Sequence, residues 1–281
     1  MLQDLSALSK KIKLPHSWRN ATKSELIKIR GVCLDIDDTL STSGKLTPEA
    51  YRSLWDLKNS GLAVVPITGR PAGWCDHIVR FWPVDAVVGE NGAFTFYMEK
   101  GIRKRIETDW GAKKKDESQR KFEKLKKKIC LQFPHAQWAS DQAYREYDLA
   151  VDICEDVSPW SEKDIQSLLA LCHAAGAHAK RSSIHVNIWW GEYDKRTGFE
   201  FWIDQGAPGC PGKVPAKDSW LYIGDSPNDE PLFASFSLSV GVANLKKYLN
   251  ILEHYPNWIT QAESGQGFSE MAKKLLRALR S

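Results

Sequence analysis

The chain has 281 residues, enough for one large domain or two of moderate size. Hydrophobic residues make up 42% of the sequence, so a packed core is expected and a disordered chain is excluded. The formal net charge of +4 suits an anionic small molecule, but it is far too small for a nucleic-acid-binding surface.

The six cysteines do not have the spacing of a metal site. None occurs in a C-x-x-C pair or near histidine at zinc-ligand spacing, so we expect buried free thiols. The N-terminus lacks an apolar core of signal-peptide length, and no stretch approaches the ~18–20 apolar residues of a membrane span. These features predict a soluble cytoplasmic protein that binds neither membranes nor nucleic acid.

Residues 1–30 form a polar lead, after which apolar strands and helices alternate. Strands are predicted at residues 32–34, 62–67 and 85–89. Helices are predicted between them, at about residues 47–60 and 72–81. Thr47 is a favourable N-cap for the first helix and Pro48 suits its first turn. This alternation is typical of a parallel sheet with helices on its faces.

The pattern changes between residues 94 and 190. Hairpin strands are predicted at residues 94–97 and 101–106, followed by a very basic helix at 112–131, a helix at about 161–175, and strands near 143–153, 177–181 and 184–190. The basic run is interpreted as a solvated helix face, since Phe122 is the one aromatic residue within it. Strands in antiparallel-looking groups indicate a separate α+β insertion.

The first pattern then returns. Helices are predicted at residues 194–204 and 267–279, and strands between them at residues 219–224 and 237–242. The predicted fold class is therefore α/β. A Rossmann-like parallel-sheet core is formed by residues 1–93 and 191–281, and it is interrupted by an α+β cap domain of residues 94–190.

Three carboxylates directly follow the first predicted strand: Asp35, Asp37 and Asp38. Crowded carboxylates repel one another unless a cation lies nearby, and Mg²⁺ prefers hard oxygen ligands. The motif therefore predicts a magnesium site at the mouth of the sheet. An EF-hand calcium loop is disfavoured by Leu40 and Leu46, because that loop needs glycine and glutamate there. An acidic loop without chemistry and a response-regulator-like pocket remain alternatives for this motif alone.

Polar clusters also follow two other predicted strands, at Thr68-Gly69-Arg70 and at Gly224 to Asp229. Lys195 opens the helix where the chain re-enters the core. Since sites in open α/β sheets form outside the carboxyl ends of strands, these groups are expected to meet. They supply what phosphoryl transfer needs: carboxylates for a metal, a hydroxyl and a cation. Taken alone, Thr68 is interpreted as a turn or cap residue and Lys195 as a solvated helix residue, whereas Arg70 either clamps the substrate or pairs with a core carboxylate.

The four motifs, in this order, resemble the haloacid dehalogenase-like superfamily. That family carries D-x-D-x-T after a strand, Ser or Thr after a second strand, a lysine, and G-D-x-x-N-D. The insertion between the second and third motifs resembles the large cap of its subfamily IIB. The Glu90-Asn91-Gly92 segment and the last motif are similar to those of mannosyl-3-phosphoglycerate phosphatases, with sucrose-phosphate phosphatases more distant.

The resemblance implies a role for each matching residue. Asp35 is the expected nucleophile, and Asp37 the expected general acid and base. The implied metal set is Asp35, Asp37 through its backbone carbonyl, Asp225, and Asp229 as a nearby carboxylate that orients the site. The groups implied for phosphate or substrate binding are Thr68, Gly69, Arg70, Lys195 and Asn228.

The predicted strand at residues 184–190 supplies possible substrate contacts from the cap. Strand alternation places His185 and Asn187 on one face, and apolar residues that pack on the cap helices on the other. We expect the polar face, with Tyr144, Arg145 or Arg181, to contact a sugar.

These observations predict a Mg²⁺-dependent phosphomonoester hydrolase that acts through a phospho-aspartate. Its expected substrate is a sugar phosphate or a similar small phosphorylated metabolite. Two alternatives remain: a phosphomutase of the same superfamily and a non-catalytic sugar-phosphate sensor. The sequence is compatible with a monomer or a homodimer.

Overall fold

The computed structural model describes residues 14–107, 109–210, 212 and 214–280, and for residues 109–116 the backbone alone. The first part of the predicted lead, residues 1–13, lies outside this set. The strands are β1 (His16–Ser17), β2 (Gly31–Leu34), β3 (Ala63–Pro66), β4 (Ala86–Gly89), β5 (Phe94–Glu99), β6 (Ile102–Glu107), β7 (Gln137–Trp138), β8 (Asp148–Asp152), β9 (His178–Arg181), β10 (His185–Trp189), β11 (Trp220–Gly224), β12 (Leu238–Gly241) and β13 (Trp258–Ile259).

The helices in the described residues include all six that the sequence predicts, with ends that differ by at most about three residues, and two short ones that it does not predict. They are α1 (Lys23–Leu26), α2 (Pro48–Asn59), α3 (Ala72–Phe81), α4 (Asp109–Gln132), α5 (Glu162–Ala174), α6 (Lys195–Asp204), α7 (Glu230–Ser235) and α8 (Ser264–Arg280). The side chain of Thr47 caps α2 by accepting a hydrogen bond from the Ala50 amide, as its position predicts. The short helix α7 has no sequence signal among those used above.

The main sheet consists of parallel strands in the order β1-β13-β12-β11-β2-β3. Strands β12, β11, β2 and β3 are buried throughout, as expected for a parallel sheet covered on both faces. Helices α2 and α8 pack on one face with Val32 and Leu34, and α6 packs on the other with Cys33 and Tyr222. The predicted Rossmann-like core is therefore confirmed.

The register of the sheet decides where the predicted motifs lie. Leu34 pairs with Ile223 of β11 and with Pro66 of β3, so these three strands end side by side. Each is followed by one of the polar motifs. The motifs therefore meet at the carboxyl edge of the sheet, where α/β proteins form their sites.

The hairpin of β5 and β6 lies differently from the prediction. It pairs with β4 in a three-stranded antiparallel sheet, and a parallel bridge between Ile67 and Val88 joins β4 to the chain after β3. The predicted boundary at residue 94 therefore cuts through a hydrogen-bonded sheet. The change in sequence pattern marks where antiparallel pairing begins, and this pairing starts on the core side.

A second antiparallel sheet, in the order β7-β8-β10-β9, packs against α4 and α5. This unit, residues 109–190, is called the cap below, and the rest is called the core. Val186 and Ile188 lie in its hydrophobic cluster, as strand alternation predicts. The strand predicted from residue 143 begins only at Asp148, after a 3₁₀ turn. The Glu146 and Tyr147 amides donate to the Glu90 carboxylate instead of to a neighbouring strand.

The described part of the lead, residues 14–30, packs beside the core. Trp18, Leu26 and Ile29 are buried in the same hydrophobic cluster as β2. A capping box between Thr22 and Glu25 caps the N-terminus of α1. Across the described ranges, no helix is both long and apolar enough to cross a membrane.

Candidate active site

The loop after β2 separates the first two carboxylates of the D-x-D motif. The Asp35 amide donates to the Ile223 carbonyl at 2.9 Å, which extends the pairing of β2 with β11 and buries Asp35. The chain then turns sharply, with Asp38 at a φ of 53°. Asp38 places its amide 3.1 Å from the Ser41 hydroxyl. Asp35 consequently points into the core, whereas Asp37 lies toward the cap.

A buried carboxylate cluster forms where β2 and β11 end. Asp35, Asp225 and Asp229 each place a carboxylate oxygen within 4.8 Å of the others. Burial raises the pKa of Asp35 to about 8, with Lys195 opposing this and Asp229 and Asp37 adding to it. Burial raises the pKa of Asp225 well above its ordinary value, and Asp229, Asp35 and Asp38 add to this while Lys195 opposes it. Such a cluster favours a bound cation, because one ammonium faces three carboxylates.

Lys195 supplies that ammonium from the first turn of α6. The Asp194 side chain caps this helix in a reciprocal pair with Thr197, which fixes where the helix begins. Lys195 is buried, and its Nζ lies 2.6 Å from both Asp35 Oδ1 and Asp229 Oδ1. Burial lowers the pKa of Lys195, but the two carboxylates outweigh it and raise the pKa above its ordinary value. The side chain therefore stays charged.

Asp229 is occupied by donors from the protein itself. Besides Lys195, it accepts from the Tyr222 hydroxyl at 2.6 Å and from the amides of Asp225 and Ser226 at 2.9 and 3.1 Å. This arrangement orients the lysine and the loop after β11. Tyr222 lies two residues before the last motif, and sequence reasoning did not identify it.

Asp225 is held by Thr39 of the first motif and by Asn244. Its oxygens accept from the Thr39 hydroxyl at 3.5 Å and from Asn244 Nδ2 at 3.2 Å. Asn244 also donates to the Asp38 carbonyl at 3.0 Å and thereby ties the two acidic loops together. No motif marked Asn244, which follows β12. Asn228 accepts from the Ser226 hydroxyl at 2.8 Å.

The loop after β3 brings the second motif to the same edge. Thr68 is fully buried and its hydroxyl accepts from the Arg70 amide at 3.0 Å. Gly69 lies against the cap: a Cβ there would be 3.2 Å from the Asn91 side chain and 3.3 Å from Asn187 Oδ1. Glycine at this position allows the close approach of cap and core.

Arg70 binds three carboxylates, one from the core and two from the cap. Its Nη2 lies 2.8 Å from Asp37 Oδ1 and 2.6 Å from Glu155 Oε1, and its Nη1 lies 3.2 Å from Asp141 Oδ2. In the other direction, Arg145 of the cap donates a hydrogen bond to the Gly69 carbonyl of the core at 2.9 Å. Sequence reasoning missed Asp141 and Glu155, which belong to no motif.

Glu90 anchors the cap strand that carries part of this network. Its buried carboxylate accepts from the amides of Ala72, Glu146, Tyr147 and Asp148. Burial and the neighbouring Asp148 raise the pKa of Glu90 to about 8, while the backbone donors oppose this. Its φ of 42°, followed by 55° at the next residue, is a sparsely populated conformation held by these bonds.

The cap closes over the motifs and leaves a cavity of about 10 Å³, roughly the space of one water. The lining residues are Asp35, Asp37, Gly69, Arg70, Ser182, Ile184, His185, Asn187 and Asn228. His185 and Asn187 therefore lie with the core motifs.

The side chains at this cap face already have protein partners. His185 Nε2 is 2.9 Å from Glu155 Oε2, and Asn187 donates to Asp148 Oδ2 at 3.0 Å. Their expected companions are arranged otherwise. Tyr144 is 60% exposed, and Arg181 pairs with Glu162 away from the cavity, leaving Arg145 near the site.

Comparison with known proteins gives one family and a consistent fold. Residues 32–147 match the family described as haloacid dehalogenase-like hydrolase. No curated protein sequence is significantly similar to the chain. Similar solved structures are those of a Thermoplasma acidophilum protein, the C-terminal domain of C. albicans trehalose-6-phosphate phosphatase, and the sucrose-phosphatase of Synechocystis sp. in complex with sucrose and phosphate.

These three structures share the fold at low sequence identity. The Thermoplasma protein is 18% identical, with a TM-score of 0.66 and coverage of 88% of this chain and 98% of its own. The C. albicans domain is 13% identical, with a TM-score of 0.68 and coverage of 94% of this chain and 98% of its own. The Synechocystis enzyme is 15% identical, with a TM-score of 0.61 and coverage of 87% of this chain and 97% of its own. The family match and the shared fold together confirm the resemblance to haloacid dehalogenase-like hydrolases that the motifs indicated.

Proposed function

We propose that this protein is a Mg²⁺-dependent phosphatase that hydrolyses a sugar phosphate or a similar small phosphorylated metabolite through a phospho-aspartate. The observation that carries the proposal is the position of Asp35. Its carboxylate lies 2.6 Å from a buried, charged lysine and lines the same cavity as Asp37. The structural neighbours named as trehalose-6-phosphate phosphatase and sucrose-phosphatase support the substrate class.

The carboxylate cluster fits a magnesium ion. Three buried carboxylates face one ammonium, and Asp35 and Asp225 both have raised pKa values. The Asp35 and Asp225 carboxylates, with the backbone carbonyl of Asp37, would hold the ion, while Asp229 orients the lysine. When bound, Mg²⁺ would neutralise charge on the phosphoryl oxygens.

In the first step Asp35 attacks the phosphorus atom of the substrate. An Asp35 oxygen–phosphorus bond forms, and the bond from phosphorus to the substrate oxygen breaks. Asp37 gives its proton to that departing oxygen, which leaves as an alcohol. Lys195 keeps the attacking carboxylate oriented, and Thr68 would bind a phosphoryl oxygen at the end of β3.

In the second step a water molecule attacks the same phosphorus atom. Its proton passes to the Asp37 carboxylate, and the bond between phosphorus and Asp35 breaks. Free phosphate leaves, and both aspartates return to their starting states. The closed cap excludes bulk water from the intermediate, so substrate entry requires the cap to move.

Two other functions use the same residues differently. A phosphomutase would return the phosphoryl group to another hydroxyl of the sugar, whereas a sensor would bind without chemistry. The sensor is disfavoured because the chain keeps Asp35, Asp37 and Lys195, the residues proposed to carry the chemistry. The mutase is distinguished by dependence on a sugar bisphosphate and by little phosphate release.

The test is phosphate release from a panel of phosphorylated sugars, sugar acids and small metabolites, with Mg²⁺ or with a chelator. Release that needs Mg²⁺ and trapping of a phosphorylated Asp35 by rapid quench would support the proposal. If no compound releases phosphate while the folded protein binds Mg²⁺, hydrolysis is the wrong function. An isomerisation assay with a bisphosphate activator then separates the mutase from the sensor.

A further inference from the structure

We propose that Glu155 of the cap is a positioning residue for Asp37 and acts on it through Arg70. Because the acid and base role of Asp37 belongs to the proposed function, this inference rests on it. Asp37 and Arg70 line the cavity whereas Glu155 does not, and Glu155 binds Arg70, so its effect would pass through the guanidinium.

The guanidinium of Arg70 binds the Asp37 carboxylate through two nitrogens. Nε lies 3.1 and 3.0 Å from the two Asp37 oxygens, and Nη2 lies 2.8 Å from Oδ1. This two-nitrogen contact fixes the plane of the carboxylate as well as its position. Whatever orients Arg70 therefore also orients Asp37.

Glu155 is the cap group that binds Arg70 most closely. Its Oε1 lies 2.6 Å from Nη2, the nitrogen that also binds Asp37, and its Oε2 lies 3.4 Å from Nη1. Asp141 is 3.2 Å away and shares its charge with Arg145, whose Nε lies 2.9 Å from it. Removing Glu155 would leave Arg70 with Asp37 and a weaker second partner.

Glu155 is itself held in place by the cap. Its amide donates to Asp152 Oδ1 at 2.7 Å, directly after β8, and its Oε2 lies 2.9 Å from His185 Nε2. Burial raises the pKa of Glu155, but the adjacent His185 and Arg70 side chains outweigh this and bring it to about 2. The carboxylate is thus ionised and bound on both oxygens.

The usual expectation for Arg70, a clamp for the substrate, fits this geometry less well. All three of its nitrogens contact carboxylates, and the Trp74 ring stacks under it at 4.6 Å. Arg70 and Asp37 belong to the core, whereas Glu155 and His185 belong to the cap. A closed cap therefore fixes the acid, and an open cap releases one side of its support.

The decisive measurement compares leaving groups in Glu155→Gln. The departing oxygen of a sugar phosphate must receive a proton to leave as an alcohol, whereas p-nitrophenolate leaves without a proton. A misplaced acid should therefore lower kcat/KM for the best sugar phosphate by about tenfold or more, since general acids contribute ~10²–10⁴-fold. The kcat/KM for p-nitrophenyl phosphate should fall by less than about threefold, because this ratio reports steps up to loss of the leaving group.

The matched control is Glu162→Gln. This change removes a cap carboxylate that lies away from the cavity and is bound to Arg181 at a distance of 2.5 Å. This variant should leave kcat/KM unchanged for both substrates. Arg70→Lys keeps the charge but loses the two-nitrogen contact, so it should show the same asymmetry between substrates. In the Arg70→Lys background, Glu155→Gln should add little, because both changes break one link. Arg70→Lys also tests the link if Glu155→Gln fails to fold.

The outcomes are distinct. Equal loss on both substrates would make Glu155 merely structural and overturn the inference, as would unchanged kinetics. Additive losses in the double variant would show that Glu155 does not act through Arg70. Wild-type protein inactive on every phosphate ester would instead overturn the proposed function, and this inference with it.

Discussion

Two groups of three carboxylates reach the same cavity, one through Asp35 and the other through Asp37, and each group faces a basic side chain. In the lysine site, Lys195 faces Asp35, Asp225 and Asp229, all from the core. In the arginine site, Arg70 faces Asp37, Asp141 and Glu155, of which the last two come from the cap.

The two sites differ in how far their carboxylates are compensated. In the lysine site, burial raises the pKa of Asp35 to about 8. In the arginine site, the contacts to His185 and Arg70 outweigh burial and hold the pKa of Glu155 at about 2. Arg145 adds a second guanidinium to the arginine site through Asp141. The lysine site therefore lacks positive charge that a metal would supply, whereas the arginine site is complete without one.

The largest effect is expected from a change at the proposed nucleophile of the lysine site. Asp35→Asn should lower phosphate release by at least about 10³-fold, because an amide forms no aspartyl phosphate. The neighbouring Asp38→Asn is the control, since asparagine tolerates its left-handed backbone. Steady-state assays that find Asp35→Asn active within tenfold of wild type would contradict the assigned nucleophile.

A stability comparison tests which site depends more on its basic residue. Lys195→Met leaves the buried carboxylates without the ammonium that faces them and should cost about 3–5 kcal/mol in the free energy of unfolding. Arg70→Met should cost less, because Arg145 remains at the arginine site. Urea unfolding of metal-free protein at neutral pH measures both. A larger loss for Arg70→Met would reverse the comparison.

The raised pKa values predict how metal and pH act on the lysine site. Folded metal-free protein should retain protons on Asp35 and Asp225 that the unfolded chain releases above about pH 4. Its stability should therefore fall as pH rises from about 4 to 8, and Mg²⁺ should raise the Tm more at pH 8 than at pH 5. Glu155 has the opposite sign and contributes stability that is lost as pH falls below about 4.5 toward 2.

Thermal unfolding with and without Mg²⁺ across this range measures the effect. Asp225→Asn removes one titrating carboxylate and one expected ligand, so it should reduce both the pH slope and the response to Mg²⁺. A Mg²⁺ effect that is independent of pH would argue against a metal held by these carboxylates.

The smallest expected effect concerns the contact between the sites and the cap. Gly69→Ala places a Cβ 3.2 Å from Asn91 and 3.3 Å from Asn187 of the cap, so these side chains must give way by a few tenths of an ångström. KM should rise severalfold, and the free energy of unfolding should fall by about 1 kcal/mol. Unchanged KM would mean that the cap does not close this tightly on the substrate.

Much of the core could be predicted from local patterns. Short apolar runs and helix caps such as Thr47 gave the strands and helices of the parallel sheet, because strand burial and capping depend on adjacent residues. The start of β8 was predicted too early, since Glu90, remote in sequence, takes the Glu146 and Tyr147 amides.

The sequence by itself determined the parallel core and the identity of the acidic and basic residues at its edge, because motif residues follow their strands directly. Only the tertiary structure decided which groups pair across the cavity. Asp37 and Glu155 meet at Arg70, and Tyr222 and Asn244 support the acidic loops. Such contacts join residues far apart in the chain, so they depend on how cap and core pack rather than on local spacing.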